Sequence, residues 1–517
     1  MLYWKLRQAN GIHLMAYTYV KLTGKIDRRS PQNEGKQEDP VLCENWLSRD
    51  GVLRKPPGHT AQFTGLADIP RWMGRYYTVE VGTVSPKSFV YTQNGGLYVL
   101  DDTNNIATLL LSTLNTNARP KHWLFKSATQ TKMFLVDGER LYQYDGNNNN
   151  TFVVVDLEDN DGNSVKPIDV IEHKDRLFVI SRTSLFVSKN LDPEDFSDAD
   201  DSIEIIVGSG KGINLYLGKI EDKLYILNTE GIFVLDGDVI SALATTFEVR
   251  LVDERRIIAG GTAHKVEKAI LFIGDDYELW SWDGSTTTML SFELKLKDFI
   301  FKNVFMLDKA VSIYHNNYYK MSFVGNGDTE PNVEVWWDAF EDKLHIVKGR
   351  QITCYMRTDP TIEEEYLQFG QSTLQISQEG IGNDFNSSAI ATRLRSRDLT
   401  PKKGINVRFS AFYPEFMPTG NRNIIIRYLL DGRSSNPTDA NAHWEQNLRG
   451  EIKSVTALSI SNQAQFTGRV RPKINYARGE SVAFEIVEST VGLKCDFLGI
   501  GIEYIAKFAS KKATIGA

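Results

Sequence analysis

Cysteine is scarce in this chain, with Cys43, Cys354 and Cys495 as the three cysteines among 517 residues. Their odd number and wide separation argue against a disulfide framework and favour reduced thiols. Long apolar runs are also lacking, because no stretch reaches the roughly 18 apolar residues of a membrane span. The N-terminus has no continuous signal-peptide core, since Lys5 and Arg7 interrupt its apolar residues. We therefore expect no membrane span and folding in a cytoplasm.

An excess of positive charge is missing as well. The chain has 59 Lys and Arg against 66 Asp and Glu, a net charge of −7, with 41% hydrophobic and 11% aromatic residues. This composition is typical of a globular protein, and its average field repels duplex DNA. It excludes a general nucleic-acid binder but is compatible with an acidic channel that conducts DNA.

Catalytic and metal-binding motifs are lacking too. The eight histidines are scattered, with no HExxH pair and no coupling to a Cys or Ser nucleophile. Acidic pairs such as Asp275-Asp276 and the run Glu363 to Glu365 are more typical of exposed loops than of glycosidase carboxylates. We predict that the protein is not an enzyme and has no catalytic residue, cofactor-binding residue or metal ligand.

Three loops resemble ligand-binding motifs but depart from them. In DLEDNDGNS, from Asp156, an EF-hand register with Gly162 sixth would place Leu157 and Ile168 at acidic ligand positions. In GSGKG, from Gly208, no Ser or Thr follows the lysine as a phosphate loop requires. SWDGSTTT, from Ser281, departs from a sialidase Asp-box. We interpret the first as an exposed loop and the second as a turn between blades, and cation binding by an acidic loop stays open.

A repeat of strand pairs runs through the middle of the chain. Six pairs, such as FLVDGERLYQYDG from Phe134 and LYILNTEGIFVLDG from Leu224, start 45, 43, 47, 46 and 41 residues apart. Each has two apolar runs around a polar or glycine-containing turn, which indicates a hairpin buried on both faces. That period is typical of a β-propeller blade. A weaker pair at Tyr366 makes seven blades, with six as the alternative.

Aromatic runs such as Trp336-Trp337 and Trp280/Trp282 fall within these predicted strands. They could stack on sugars, but propeller core is the stronger interpretation.

The segments flanking the repeat differ from it. After about Asn386, short alternating strands predict a β-sandwich. Ahead of the repeat, NWLSRDGVLRKPPGHT from Asn45 predicts a hairpin around Asp50-Gly51, stopped by Pro56-Pro57. We predict an all-β protein with an extended arm at residues 1–39, a propeller at 40–385, which this hairpin closes, and a sandwich at 386–517.

Several of these segments resemble tailed-bacteriophage β-propeller virion proteins. GKIDRRSP, from Gly24, and the hairpin Asn45–Gly58 are similar to the family's arm and Asp-Gly, Leu-Arg-Lys, Pro-Gly hairpin. The blade segment Leu185–Leu217 is similar to one of its blades, and TRLRSRDLTPKKGINVRFSAF resembles its C-terminal sandwich. The resemblance spans nearly the whole chain.

The resemblance implies a non-enzymatic structural subunit of a phage tail. The expected assembly is a ring homo-oligomer, six-fold by preference, in a nozzle or tail hub through which duplex DNA passes without tight binding. Its other partners would be tail or connector proteins, and its location the virion tail after assembly in the host cytoplasm. A tail-tip receptor- or glycan-binding propeller, or an envelope glycosidase, is the alternative.

The same resemblance makes Arg28, Arg29, Arg54 and Lys55 candidates for subunit contacts. Arg54 and Lys55 would pair with acidic loops of a neighbouring copy. An equally good interpretation is an edge strand protected from aggregation by its Lys and Pro residues.

Overall fold

The structure is a computed structural model of the full chain. It describes all residues except 1–3, 9–10, 23, 25–35, 38, 81–82, 102–105, 117, 127–130, 147–150, 198–200, 238–239, 242–243, 246, 292–295, 362, 402–406, 418–421, 431–450, 458–465, 468–477, 480, 490, 493 and 508–517.

The described residues are almost entirely β-structure. The strands are, in chain order, β1 (Trp4–Gln8), β2 (Gly11–Val20), β3 (Leu42–Glu44), β4 (Leu47–Arg49), β5 (Val52–Arg54), β6 (His59–Thr64), β7 (Pro70–Glu80), β8 (Thr83–Thr92), β9 (Leu97–Asp101), β10 (Ile106–Leu111), β11 (Lys121–Lys126), β12 (Thr131–Val136), β13 (Leu141–Tyr144), β14 (Val153–Val155), β15 (Asp169–His173), β16 (Arg176–Ile180), β17 (Ser184–Val187), β18 (Ile203–Ile206), β19 (Asn214–Ile220), β20 (Lys223–Asn228), β21 (Gly231–Asp236) and β22 (Ile240–Ser241). They continue with β23 (Ala244–Thr245), β24 (Glu248–Asp253), β25 (His264–Val266), β26 (Ala269–Ile273), β27 (Leu279–Trp282), β28 (Thr287–Met289), β29 (Val304–His315), β30 (Tyr318–Gly325), β31 (Pro331–Asp338), β32 (Lys343–Lys348), β33 (Ile352–Arg357), β34 (Leu367–Gln371), β35 (Gln375–Glu379), β36 (Thr392–Arg395), β37 (Val407–Met417), β38 (Arg422–Leu430), β39 (Glu451–Ala457), β40 (Phe466–Thr467), β41 (Arg478–Gly479), β42 (Val482–Glu488) and β43 (Asp496–Lys507).

Helix is confined, within the described ranges, to α1 (Leu296–Asn303) and a 3₁₀ turn (Gly260–Thr262). In that part of the chain, neither is long and apolar enough to cross a membrane.

Residues 60–336 together with 349–379 form a compact unit that is a seven-bladed β-propeller. Its sheets, numbered as blades 1 to 7, are β7–β10, β11–β14, β15–β18, β19–β21 with β24, β25–β28, β29–β31, and β33–β35 with β6. The predicted propeller with seven blades is confirmed.

The blades follow one another around a closed circle. The first strand of each blade contacts the first strand of the next, and β33 of blade 7 contacts β7 of blade 1. Apolar clusters fill the spaces between neighbouring blades, as where Phe89 of blade 1 packs with Met133 of blade 2. The first strands are therefore innermost, and the last strand of each blade lies at the periphery.

The strand that closes this ring is not the predicted one. The prediction that Asn45–Lys55 closes the ring is wrong, because the outer strand of blade 7 is β6, which follows β35 in the sheet. Phe63 of β6 is buried with Met73 of blade 1 and Ile376 of blade 7. The polar sequence HTAQFT of β6 carries a weaker strand pattern than the hairpin before it.

The hairpin itself forms around the predicted turn. Strand β4 pairs with β5, and Asp50 and Gly51 have φ of 54° and 71°. Its partner is β43, through the register Leu53 to Phe497. The hairpin therefore belongs to the C-terminal sheet. Its local sequence pattern fits any open sheet edge and does not specify which edge it joins.

The second compact unit, residues 1–59, 337–348 and 380–517, is a β-sandwich. One sheet has the order β1-β2-β43-β37-β40, and the other contains β32-β3-β36-β42-β38-β39. The sheets pack through Phe412 of β37 and Phe484 of β42, with ring centroids 4.7 Å apart. The predicted C-terminal sandwich is confirmed, and N-terminal strands complete it. Of the predicted arm, β1 pairs with β2 and β2 with β43.

Candidate interaction surface

Two of the four predicted contact residues, Arg54 and Lys55, lie where the second strand of the hairpin ends, beside carboxylates of the sandwich. Lys55 Nζ is 2.5 Å from Glu488 Oε2, and only 4% of the lysine side chain is exposed. Arg54 Nε is 3.7 Å from Asp496 Oδ2, with 47% of its side chain exposed. Arg28 and Arg29 lie outside the described residues. Lys55 is thus paired within its own chain, while Arg54 keeps a surface position.

Asn45, the first residue of the hairpin motif, is an anchor inside the sandwich. Its Nδ2 donates to the carbonyl of Ala391 at 2.8 Å, and its Oδ1 accepts from the Lys348 N–H at 2.8 Å. Asn45 has a φ of 54°, which asparagine tolerates better than most residues. The side-chain amide therefore replaces backbone pairing at a break between two strands.

Two acidic loops that are far apart in sequence line one groove of the propeller. The loop Asp156–Asp161 and the residues Glu194–Ser197 both line the space between blades 2 and 3. The Asn160 N–H of the first loop donates to Glu204 Oε2 of β18 at 3.1 Å. The groove is a cavity of about 760 Å³ between β14 and β18, the outer strands of these blades. We call it the acidic groove. Its acidic lining residues are Asp156, Glu158, Asp159, Glu194, Asp195 and Glu204.

The negative charge of the acidic groove is only partly neutralised. Glu194 pairs with Lys132, and Asp195 lies 3.9 Å from Lys189 Nζ. Among the described residues, Asp156, Glu158 and Glu204 form no such pair, and no basic side chain lines the groove. Hydrogen bonds from the backbone and side chain of Asn163 lower the pKa of Asp159, which keeps that carboxylate charged. The groove is therefore an anionic surface at neutral pH.

The outer strands of four consecutive blades expose large apolar side chains. The largest exposed fractions are 65% for Ile206 and 55% for Ile106. We call this set the apolar rim: Ile106 and Leu109 of β10, Val153 and Val154 of β14, Ile206 of β18 and Leu251 of β24. The outer strands of blades 5 and 7, by contrast, expose Thr288, Thr60 and Thr64. Large apolar side chains on open sheet edges are typical of surfaces that a partner covers.

The acidic pair Asp275-Asp276 lies apart from the acidic groove. Asp276 pairs with Arg255 at 3.2 Å and accepts a hydrogen bond from Trp280 Nε1 at 3.0 Å. The Arg255 guanidinium lies over the Trp280 ring, 3.6 Å from its centroid. Asp276 therefore binds Trp280 of its own blade and Arg255 of the connection between blades 4 and 5, and it is not part of a paired-carboxylate site.

The other sequence motifs have structural roles. Gly208–Gly212 lies between β18 and β19, which confirms the predicted turn between blades. Asp283 accepts hydrogen bonds from the N–H groups of Ser285 and Thr286, which lower its pKa to about 2. Trp336 and Trp282 are buried, as the core interpretation predicted.

Of the carboxylates from Glu363 to Glu365, two bind arginines of the propeller. Glu363 accepts from Arg75, and Glu365 lies 2.9 Å from Arg357 Nε. Glu363 thus joins a loop of blade 7 to β7 of blade 1, and Glu365 fixes the same loop to the end of β33.

Sequence reasoning missed a group of charges buried between blades 6 and 7. Lys320, Glu334, Arg350 and Glu379, which we call the buried charge cluster, are all nearly inaccessible. Arg350 Nη2 is 2.6 Å from Glu379 Oε2, its Nε is 3.4 Å from Glu334 Oε2, and Lys320 contacts Glu379. The signal available in the sequence is the lysine in the middle of the strand YYKMSFVG.

The aromatic surroundings complete the buried charge cluster. Lys320 Nζ lies 4.2 Å from the centroid of the Trp336 ring, and the Tyr355 hydroxyl donates to Glu334 at 2.7 Å. Although burial opposes it, the charges of Lys320 and Arg350 hold the pKa of Glu379 well below its usual range. Two cations and two anions balance one another, so the cluster is a structural network between blades.

The described residues offer no group of three His, Cys, Asp or Glu side chains placed to hold a metal ion. The three cysteines are buried as free thiols. The surface that distinguishes this chain chemically is therefore the apolar rim together with the acidic groove.

No protein-family model matches the chain, and no curated protein matches it. Among solved structures, the Swd1 (Cps50) β-propeller domain of Myceliophteria thermophila is 10% identical, with a TM-score of 0.38 over 62% of this chain and 99% of that one. Virginiamycin B lyase of Staphylococcus aureus is 9% identical, with a TM-score of 0.37 over 60% of this chain and 94% of that one. The AfRom2 CNH domain is 10% identical, with a TM-score of 0.36 over 62% and 98%. Likeness at this level carries no argument about function.

Proposed function

We propose that the chain is a non-enzymatic structural subunit of a bacteriophage tail. Copies of it form a ring, six-fold by preference, that belongs to a nozzle or tail hub and conducts the genomic DNA during ejection. The subunit is made and assembled in the host cytoplasm and resides in the virion tail with other tail or connector proteins.

The observation that carries this proposal is the apolar rim. It occupies the outer strands of blades 1 to 4, whereas the outer strands of blades 5 and 7 expose threonines. Covering apolar area gains roughly 25 cal/mol per Å², so a neighbouring copy against this side of the propeller is favoured. A one-sided rim is what a subunit with a defined neighbour needs.

The sequence resemblance gives the assembly its biological setting. Its hairpin motif, Asn45–Gly58, is held in the sandwich by buried polar contacts such as Lys55 to Glu488. The residues that resemble the family thus support a fixed part of the fold in this chain. Arg54, at the surface of the same hairpin, remains the candidate for contact with a neighbour.

The charge supports a conduit rather than a DNA-binding protein. The net charge of −7 gives the chain an average field that repels duplex DNA. Each phosphate that a protein neutralises adds a salt-sensitive increment of affinity, which would slow transit. A channel wall that repels the duplex forms no such contacts and therefore does not slow the DNA during ejection.

Sedimentation velocity of the purified protein tests the proposal. We expect a closed oligomer, and we expect the rim variant Ile206→Lys to dissociate it because a charge is then buried at the contact. The matched control Thr288→Lys, on the outer strand of blade 5, should leave the oligomer intact. A parent protein that stays monomeric at every concentration would overturn the proposal, and saturable binding to host surface sugars would favour the receptor-binding alternative.

A further inference from the structure

The acidic groove is shaped to receive an extended segment. Its two sides are β14 and β18, and each of them ends its sheet. Val153, Val154 and Ile203 of these strands line the groove beside its carboxylates. An open strand edge can add an extended peptide through main-chain hydrogen bonds, while pockets beside it select the side chains.

The lining sets the chemistry of the occupant. Apolar side chains come from the strands, and carboxylates come from the loop Asp156–Asp161, from Glu194 and Asp195, and from Glu204 of β18. Since no basic side chain among the described residues lines the groove, a complementary segment has to bring its own cations with an aliphatic residue between them.

One segment of this chain has that composition. GKIDRRSP, from Gly24, places Lys25, Arg28 and Arg29 around Ile26, against the single acid Asp27. A second basic stretch, GRVRPK from Gly468, lies between β40 and β41, which pair with opposite ends of β37. The connection 468–477 has to cover most of β37 and has little reach. The segment 24–31 lies in the longer connection 21–41 between β2 and β3, so it is the better occupant.

We propose that the acidic groove binds the segment 24–31 of a neighbouring copy. The inference rests on the proposed assembly of copies. It adds a second contact between them, because Val153 and Val154 belong both to the groove and to the apolar rim. Lys25, Arg28 and Arg29 pair with the groove carboxylates, and Ile26 packs on the apolar lining. Arg28 and Arg29 then make the subunit contacts that the sequence predicted for them.

The binding test uses a labelled peptide of residues 22–33 and the full-length variant Arg28→Glu with Arg29→Glu, whose own segment no longer competes. Fluorescence anisotropy should show saturable binding that weakens with added salt. Adding Glu158→Gln and Glu204→Gln to the host should weaken binding about tenfold, since two charge pairs are lost. The matched control, Asp222→Asn with Glu248→Gln, removes two exposed carboxylates outside the groove and should leave binding unchanged.

Binding that is indifferent to the groove substitutions overturns the inference, as does tight binding of a 466–475 peptide by a host that ignores the 22–33 peptide. Circular dichroism confirms that each host is folded. Sedimentation separates this inference from the proposed function. If rings form but the peptide does not bind, the groove is not the binding site of the segment and the proposed ring still stands. If the peptide binds but no rings form, the groove assignment stands and the proposed ring is rejected.

Discussion

The buried charge cluster and the acidic groove are two gatherings of charge in one propeller with opposite designs. In the cluster, two cations and two anions lie out of contact with water between blades 6 and 7. In the groove, carboxylates of one sign face an open cavity between blades 2 and 3. Balanced buried charge fixes blades against each other, whereas the unbalanced exposed charge forms the surface that we propose binds a neighbouring copy. The comparison therefore distinguishes charges that stabilise the fold from charges that are available for binding.

Removing one member of the buried charge cluster should have the largest effect. Arg350→Met leaves Glu334 and Glu379 buried without their shared cation, so we expect a loss of about 3 to 5 kcal/mol in the free energy of unfolding. Urea denaturation measures it. Restoring neutrality with Glu334→Gln in the same chain should recover part of the loss. A cost below about 1 kcal/mol for Arg350→Met would erase the distinction between cluster and groove.

Acid should destabilise the fold through buried histidines. Burial lowers the pKa of His345 to about 4, and burial with nearby Lys219 and Lys174 does the same for His173. Because the unfolded state protonates first, near pH 6.5, this stability is complete above that pH and is lost as pH falls toward 4. Each histidine should cost about 2 kcal/mol between pH 6.5 and 5.

Melting temperatures across this pH range measure the histidine effect. His173→Gln should make the dependence less steep without abolishing it, because His122, His264 and His345 also have a pKa lowered to about 4. Glu158→Gln in the groove should leave the dependence as in the parent. An equal slope in the parent and in His173→Gln would show that this histidine does not stay neutral in the folded state.

Neutralising the acidic groove should change stability little. For Glu158→Gln with Glu204→Gln we expect a shift within about 0.5 kcal/mol, and a slight gain is favoured because like charges are removed. Urea denaturation beside Arg350→Met gives the direct contrast. A loss of several kcal/mol would mean that the groove carboxylates hold the fold together and are not a docking surface.

The smallest effect that we expect is the binding of duplex DNA to the purified protein. We expect binding weaker than about 1 mM at physiological salt, because the net charge of −7 repels phosphates. A gel-shift titration measures it. Tight binding that falls steeply with salt would make the chain a clamp or anchor instead of a conduit.

The repeat predicted the blades well because each inner hairpin is buried on both faces and therefore apolar on both. At blade 6 the predicted pair is shifted by one strand. The pair beginning at Val311 comprises β29 and β30, the first two strands of the blade, whereas the other pairs comprise the second and third strands. The corresponding strands β26, β30 and β34 begin at Ala269, Tyr318 and Leu367, which are equally spaced. A long β29 with an irregular register and the preceding helix α1 obscured that spacing.

What sequence could not predict depends on contacts between distant residues. The hairpin at Asn45 and the strand β6 are neighbours in sequence, yet one pairs with β43 and the other completes blade 7. Local pattern cannot decide which sheet edge an edge strand joins. The meeting of two acidic loops and the burial of Lys320 likewise follow from how blades pack, and each residue alone resembles an ordinary surface charge.

Cryo-electron microscopy of the purified full-length protein tests the central claim most directly. We expect a closed ring in which the apolar rim of blades 1 to 4 lies at the contact between copies and the outer strands of blades 5 and 7 do not. Isolated monomers, or a ring in which Ile106, Val153 and Ile206 face solvent, would contradict it.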